Sequence, residues 1–471
     1  MHHIEEPQIA QELDERVLDY HRELCPASAD YIQFMCADPA RLDGRRYRIA
    51  RYEDQLAHLV LQFWPTLVGS RFRDRLAHVS TGLKKLFCAV PERVFQMDAT
   101  RISDYFRENP DFVRDMVLPG MKQVDGVVAR GDFLDTEDGL KCIEINLGGN
   151  LGGFDGRIMA NAFLRDPLFL QFCREYGHRL EFRDPVMLAA RHILEDTRAR
   201  IPLHDRELNI CAYSADYSPA LGMLYDQMLN EPYQRLLKAL PGNWKGSFRT
   251  AEYRNLRHQD GALHLGSMRI HAAWEFTDTM VTPSVVFENF LRGRNTLYNG
   301  PAGMLLSNKF NIAALSENEH GTMFDEAERT LIQNHIPWTR KVKKGASSYR
   351  GEPIDLPAFI GARRESFVLK PVAEHSAKGV TVGRFSTTDT WATTLRKALD
   401  EGNWIVQETV TPRQLYYYHE GTCIPHAVNW GPFIFGGTFG GMFMRVQPAM
   451  FDKPISRGCG ASEGIMFEVA E

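Results

Sequence analysis

The sequence contains no apolar run approaching the ~18 residues that a bilayer-spanning helix requires, so no membrane-spanning role is expected. It also lacks any Cys-x-x-Cys pair. Its eight cysteines lie far apart, which fits reduced thiols better than a disulfide framework or a zinc site. Positive charge is not in excess: 55 Lys and Arg are set against 60 Asp and Glu, for a formal net charge of -5. With the basic residues scattered, nucleic acid is not an expected partner. No G-x-x-x-x-G-K-[ST] loop occurs, and glycines 148, 149, 152 and 153 do not follow the dinucleotide fingerprint. Residues 1–6 are acidic and carry no apolar leader-like stretch, so the expected location is the cytoplasm.

What remains is a globular composition, 44% hydrophobic and 24% charged over 471 residues, enough for about two to four packed subdomains. Residues 1–125 read mostly as helix, with Leu56, Leu59, Val60, Phe63 and Leu67 at helical spacing. Near residue 127 the pattern changes to alternation. Residues 127–134 and 140–146 read as two strands of an antiparallel hairpin closed through Asp138-Gly139. A glycine-rich loop follows at 148–156. Residues 208–213 and 268–273 read as strands of a small α/β unit, with a polar, turn-rich stretch at 243–253 and a boundary at Gly300-Pro301. The last segment, from about 304, reads as β-rich with one helix at 389–399 and strands at 366–370, 380–383 and 404–408.

Side chains two apart on a strand share a face, so Arg130 joins Asp132, and Glu144 joins Asn146. Two carboxylates and an amide oxygen are hard donors suited to magnesium carrying nucleotide phosphates, with an arginine beside them for phosphate oxygens. The same residues also fit a solvated hairpin face bearing an Arg-Asp pair. Cys142 is expected to point into the core, with no nucleophilic role. Lys370 ends an apolar strand, and the loop 373–379 after it holds Lys378 and Gly379, a pattern able to fold over phosphates. As a lone lysine, Lys370 reads first as a strand-end charge in water. The strand Trp404-Ile405-Val406-Gln407-Glu408 could flank a nucleobase. His375 in the loop reads as a solvated side chain, and the tyrosines 416–418 as half-buried strand residues. Arg157 is a candidate carboxylate binder.

Taken in order, these segments resemble the ATP-grasp superfamily, in particular its circularly permuted, glutathionylspermidine synthase-like branch, in the synthetase part only. The resemblance spans residues 125–471. Arg130-Gly131-Asp132 and Glu144-Ile145-Asn146 look like the branch's magnesium motif, preceding the lysine strand as the permuted order requires. Lys309 and Lys370 look like the two nucleotide lysines, Val406-Gln407-Glu408 like the adenine hinge, and Arg445 like the arginine on the transferred phosphate. Two departures stand out: residues 374–379 replace an Asp-x-x-Gly-Gly-Lys-Gly loop, and Asn146-Leu147-Gly148-Gly149 replaces Asn-Ala-Asp. No Cys-His amidase segment is recognised at the front, which sets the expected chemistry apart from glutathionylspermidine formation.

The resemblance implies an α+β / α/β fold: a permuted ATP-grasp core, a small α/β pre-ATP-grasp-like subdomain and a helical N-terminal region. The implied parts are the helical region at 1–125, the metal-ligand part at 126–204, the small subdomain at 205–300 and the nucleotide-binding part at 301–471. It implies an ADP-forming carboxylate-amine ligase working through an acyl phosphate with ATP and two Mg2+ ions. In that role Asp132, Glu144 and Asn146 would hold metal, and Arg130 and Arg445 the transferring phosphoryl group. Lys309, Lys370, Lys378, Gly379, Gln407 and Glu408 would bind nucleotide, and Gly148, Gly149 and Arg157 the substrate. The partners are then a small-molecule or peptide carboxylate and an amine. A non-catalytic nucleotide- or peptide-binding homologue and a small-molecule kinase are the alternative readings. The sequence carries no sign of oligomeric state.

Overall fold

In a computed structural model of the chain, residues 13–42, 60–149, 151–202, 206–215, 218–276, 284–372, 374 and 377–470 are described. The centre is built from the expected hairpin. Val128–Thr136 and Gly139–Asn146 pair antiparallel, and Gly139 takes φ +88 at the turn, a conformation that disfavours side chains with a Cβ. Thr422–Phe435 pairs with the outer side of this hairpin, Thr438–Pro448 with Thr422–Phe435, and Ser462–Gly464 with Thr438–Pro448. Gln414–His419 adds a sixth strand against Thr422–Phe435. One face of this sheet is covered by the helix Ser70–Arg93, whose Phe72, Leu76, Val79, Leu83, Leu86 and Val90 recur three or four apart and are all buried. Phe72 lies 4.7 Å from Trp430 between ring centroids.

Helices Glu15–Leu24, Pro26–Cys36 and Ala99–Phe106 agree with a helical first quarter, but the stretch around Leu67 does not. Leu56 and Leu59 lie outside the described residues. Thr66–Val68 is a strand, parallel to Met466–Val469, and Gln62 donates its backbone N–H to the Glu463 carbonyl. The physical reason is local and tertiary together: Pro65 has no N–H and pushes Trp64 out of helical backbone, while a distant strand supplies the hydrogen bonds. Gln414–His419 is a strand as expected, but Tyr416 and Tyr417 are both buried and only Tyr418 is half-buried, because both faces of this strand are covered.

The small α/β unit has a four-stranded parallel sheet in the order Thr296–Tyr298, Ala272–Glu275, Ile210–Ser214, Phe248–Glu252. Two expectations change here. The turn-rich stretch contains the strand Phe248–Glu252, whose Thr250 N–H and hydroxyl are tied to Asp226. The run 268–273 divides into Met268–Ile270, in a separate antiparallel sheet, and Ala272–Glu275.

The last segment also holds more helix than its single expected one, with Gly300–Ser307, Phe310–Glu317, Glu326–His335 and Leu356–Ala362 besides Thr388–Glu401. Phe310–Glu317 is almost wholly buried, so it lacks the polar face that makes a helix legible in sequence. A second antiparallel sheet, Thr339–Lys341, Trp404–Glu408, Phe367–Pro371 and Thr381–Val382, stands beside the central one. Trp338, Trp391, Phe367 and Leu369 form its own core. Among the described residues no helix is long and apolar enough to cross a membrane.

Candidate functional site

The central sheet and the second sheet line a shared cavity of about 670 Å³. On its floor Asp132 and Glu144 are direct partners across the hairpin, with Arg130 opposite Asn146. The four polar groups converge, as alternation predicts. Strict alternation would also turn Cys142 toward the cavity, since it is two residues from Glu144. A bulge prevents this: Phe133 pairs with Cys142 while Asp132 pairs with Glu144, so Ile143 is the extra residue. Cys142 is fully buried, and burial pushes its thiol well above the usual range, consistent with no nucleophilic role.

Each acid on the floor has a cation. Arg445 donates from Nη1 to Asp132 Oδ2 at 3.0 Å, Arg130 stands 3.6 Å from Asp132 Oδ1, and Lys309 lies 3.1 Å from Glu144 Oε1. Burial opposes ionisation of Asp132, but the charges of Arg445 and Arg130 outweigh it and hold the carboxyl below its usual value. Burial and then the like charge of Arg445 pull Arg130 down to about 10, so it stays charged at neutral pH. Both guanidiniums rest against the Phe443 ring, 5.2 and 5.4 Å from its centroid. Gly431 lets this happen: a Cβ there would meet the Phe443 carbonyl oxygen at 2.5 Å and Arg130 Cδ at 3.5 Å.

Two lysines reach the floor from other elements. Lys309, between the helices Gly300–Ser307 and Phe310–Glu317, also donates to the Glu374 carbonyl at 2.7 Å. Lys370, on the second sheet, donates to Gln407 Oε1 at 2.6 Å and to the Ile143 carbonyl at 3.2 Å. Burial pulls it down to about 8. Gln407 in turn donates to Thr339 Oγ1 at 3.0 Å, and the strand bearing it is paired on both sides, with Thr339 and Val368 as its partners. Glu408 lines the cavity, accepting from Tyr349 and Arg350, and Thr409 to Pro412 line it after the strand ends.

The other sequence candidates stand apart from this group. Lys378 and Gly379 are exposed, Gly379 at φ +70, and neither lines the cavity, although Ala377 and Val380 do. His375 lies outside the described residues. In the glycine-rich loop Leu151, Gly152 and Gly153 line the cavity, whereas Gly148 and Gly149 do not. Gly149 serves packing: a Cβ would sit 1.4 Å from the Glu275 carbonyl oxygen. Arg157 is turned away, paired with Asp184 and with Glu231 at 3.2 Å.

The floor fits a hard divalent cation. Asp132 Oδ1 is buried without a hydrogen-bond partner, and Asn146 donates its Nδ2 to the Arg130 carbonyl, leaving the amide oxygen as the atom that could ligate. Among the described residues no group of three or more His, Cys, Asp and Glu could hold a metal, so this set depends on its amide.

Sequence reading missed Asn429, Gln447, Glu463 and Asp155, all buried and all lining the cavity. One signal was present: Asn429 interrupts an apolar strand, where asparagine is disfavoured.

No family model matches this chain, and no curated protein matches it. Among solved structures, a glutathione synthetase-like effector from Globodera pallida in apo form matches at 11% identity, with a TM-score of 0.54, over 92% of this chain and 98% of that one. D-alanyl-alanine synthetase A from Vibrio cholerae O1 biovar eltor gives 14% identity over 48% of this chain and 68% of that one, with a TM-score of 0.26, too loose to inform the fold. The first likeness concerns fold alone: the chain folds like that glutathione synthetase-like effector.

Proposed function

We propose that the chain is an ADP-forming carboxylate-amine ligase of the circularly permuted, glutathionylspermidine synthase-like ATP-grasp branch. One observation carries this reading: Asp132, Glu144, Lys309, Lys370, Arg130 and Arg445, from five separate stretches of sequence, line one cavity between two antiparallel sheets. The chain order supports the permuted reading, since the acidic hairpin precedes both lysines.

Asp132, Glu144 and Asn146 would hold magnesium, which supplies charge neutralisation to phosphate oxygens. Lys309 and Lys370 would receive the phosphates of ATP, each already held by an acceptor at about hydrogen-bond distance and so oriented before binding. The strand end at Glu408 and the residues 409–412 would flank the base. Arg445 and Arg130 would meet the phosphoryl group as it passes to a substrate carboxylate, and their shared support on Phe443 keeps them aimed. An amine then attacks the acyl phosphate. Each such preorganised contact is worth ~3–4 kcal/mol of barrier.

The test is purified protein with ATP, magnesium and pooled carboxylates, with hydroxylamine or pooled amines as acceptor. ADP formation that requires a carboxylate, together with a hydroxamate or amide, is the expected result. A stable phosphate ester would replace the ligase by a kinase, and nucleotide binding without release would replace it by a binding protein.

A further inference from the structure

Two thiols far apart in sequence meet away from the cavity. Cys36 is the last residue of the helix Pro26–Cys36. Cys423 is the second residue of the strand Thr422–Phe435, just past a turn in which Glu420 and Gly421 take φ +48 and +86. The Cys423 thiol is hydrogen-bonded to that of Cys36, and neither residue lines the cavity. The surroundings hold this contact in place. The Tyr416 backbone N–H donates to His21 Nε2 at 2.8 Å, the Asp14 N–H donates to the Tyr416 hydroxyl at 2.6 Å, and Gln62 donates from Nε2 to the Tyr418 carbonyl at 3.4 Å. Tyr418 is the direct cross-strand partner of Cys423. The N-terminal helices are thus fixed on this strand pair, and the two sulfurs with them.

The two thiols are not equivalent. Cys423 is fully buried, whereas Cys36 is half-buried, with Gln33 and Ala37 exposed beside it. Of two hydrogen-bonded thiols the one nearer water loses its proton first, because burial opposes the charge and the partner's S–H stabilises it. The Cys423 hydrogen bond accordingly holds Cys36 below the usual thiol range, while the same bond and then burial push Cys423 well above it. Burial also raises the thiols of Cys25, Cys88, Cys142, Cys173 and Cys211. A half-buried, readily ionised thiol beside a buried second one is an arrangement in which the first reacts with an oxidant and the second resolves the product.

We propose that Cys36 and Cys423 are a modification site: a peroxide oxidises Cys36, and Cys423 closes a reversible disulfide that clamps the N-terminal helices to the central sheet. The inference is independent of the ligase reading. The Cys36 thiolate attacks one oxygen of hydrogen peroxide, forming an S–O bond. The O–O bond breaks, and hydroxide leaves with its electron pair and takes up the proton that Cys36 released, giving water and a sulfenic acid. Cys423 Sγ then attacks Cys36 Sγ, forming the S–S bond. The S–O bond breaks, and the departing hydroxide takes the Cys423 proton as a second water. Two thiols are oxidised to one disulfide, and one peroxide is reduced to two waters. The sulfurs must close from hydrogen-bond distance to ~2.05 Å. Both sit at element ends, a helix terminus and a residue beside a turn, where the backbone yields most readily. The bond closes a very long chain loop, so it restricts the unfolded chain and adds stability.

The test is the purified full chain given limiting hydrogen peroxide and mapped as peptides under non-reducing conditions. The expected product is a peptide pair joining Cys36 to Cys423, with a rise in melting temperature of ~5 °C or more that dithiothreitol reverses. Cys36→Ser should form no such link and show no peroxide-dependent shift, and Cys423→Ala should stop at a Cys36 sulfenic acid that dimedone traps. In the reduced wild type, iodoacetamide should alkylate Cys36 at least ~10-fold faster than Cys173, which is also half-buried but has its thiol raised by burial. An oxidised wild type with no Cys36–Cys423 link, or alkylation of Cys36 no faster than of Cys173, overturns the proposal. A link that leaves the melting temperature unchanged overturns the clamp.

Discussion

Asp132 and Glu144 face each other across one ladder, yet each is neutralised by a different part of the chain, Asp132 by Arg445 at 3.0 Å and Glu144 by Lys309 at 3.1 Å. Two like charges placed opposite on a strand pair repel. Here the repulsion is met by cations from a strand two places away in the sheet and from the turn between two helices, so the acidic pair exists because the tertiary fold brings its counter-charges.

Removing one acid therefore has two measurable effects. Asp132→Ala leaves Arg130 and Arg445 as buried like charges and is expected to lower stability by ~3–5 kcal/mol, read by denaturant melts of the protein alone. The same variant should lose at least ~100-fold of magnesium-dependent ADP formation. Full turnover in Asp132→Ala would sink the metal assignment.

Lys370 gives a pH signature at the alkaline end. Its folded value of about 8 lies below its ordinary 10.5, so between these values the unfolded chain binds more protons and stability from this group rises with pH. Wild type should therefore gain on Lys370→Met in melting temperature as pH goes from 8 to 10.5, with a constant difference below 8. Parallel pH profiles would mean that Lys370 is not desolvated.

Glu463 gives the opposite signature at the acid end. Its folded value of about 7 lies above its ordinary 4.5, so the folded chain binds more protons in that window and stability falls as pH rises through it. Glu463→Gln should match wild type best near pH 4.5 and gain on it progressively up to about 7, then keep that gain. Melts across this range decide it.

Gly149 and Gly437 form a matched pair of alanine tests. Gly149→Ala forces a Cβ into the Glu275 carbonyl and should cost ~1–3 kcal/mol or more, while Gly437→Ala meets nothing within 4 Å and should stay within ~0.5 kcal/mol. Equal stabilities would show that the glycine-rich loop does not pack on the small parallel sheet as described.

Arg157→Ala should lower stability, because Asp184 and Glu231 lose their shared cation, and leave the KM for the carboxylate substrate unchanged. A raised KM would return Arg157 to the binding site.

What the sequence determined by itself is local. The period-two pattern around an Asp-Gly turn is enough to specify the hairpin, and with it the pairing face of Arg130, Asp132, Glu144 and Asn146, because strand alternation and a positive-φ turn are properties of neighbouring residues. The strand Trp404–Glu408 was legible on another local ground, a short apolar run buried on both faces. Tertiary structure decided the rest. The Ile143 bulge that turns Cys142 inward depends on which residue of the partner strand finds a hydrogen bond, and the buried helix Phe310–Glu317 has no polar face to betray it. Thr66–Val68 is a strand because residues 400 positions later pair with it. The row of Asn429, Arg445 and Glu463 depends likewise on register among three strands. Each side chain was visible as a letter, but only long-range strand pairing, which no local pattern encodes, put them on one floor.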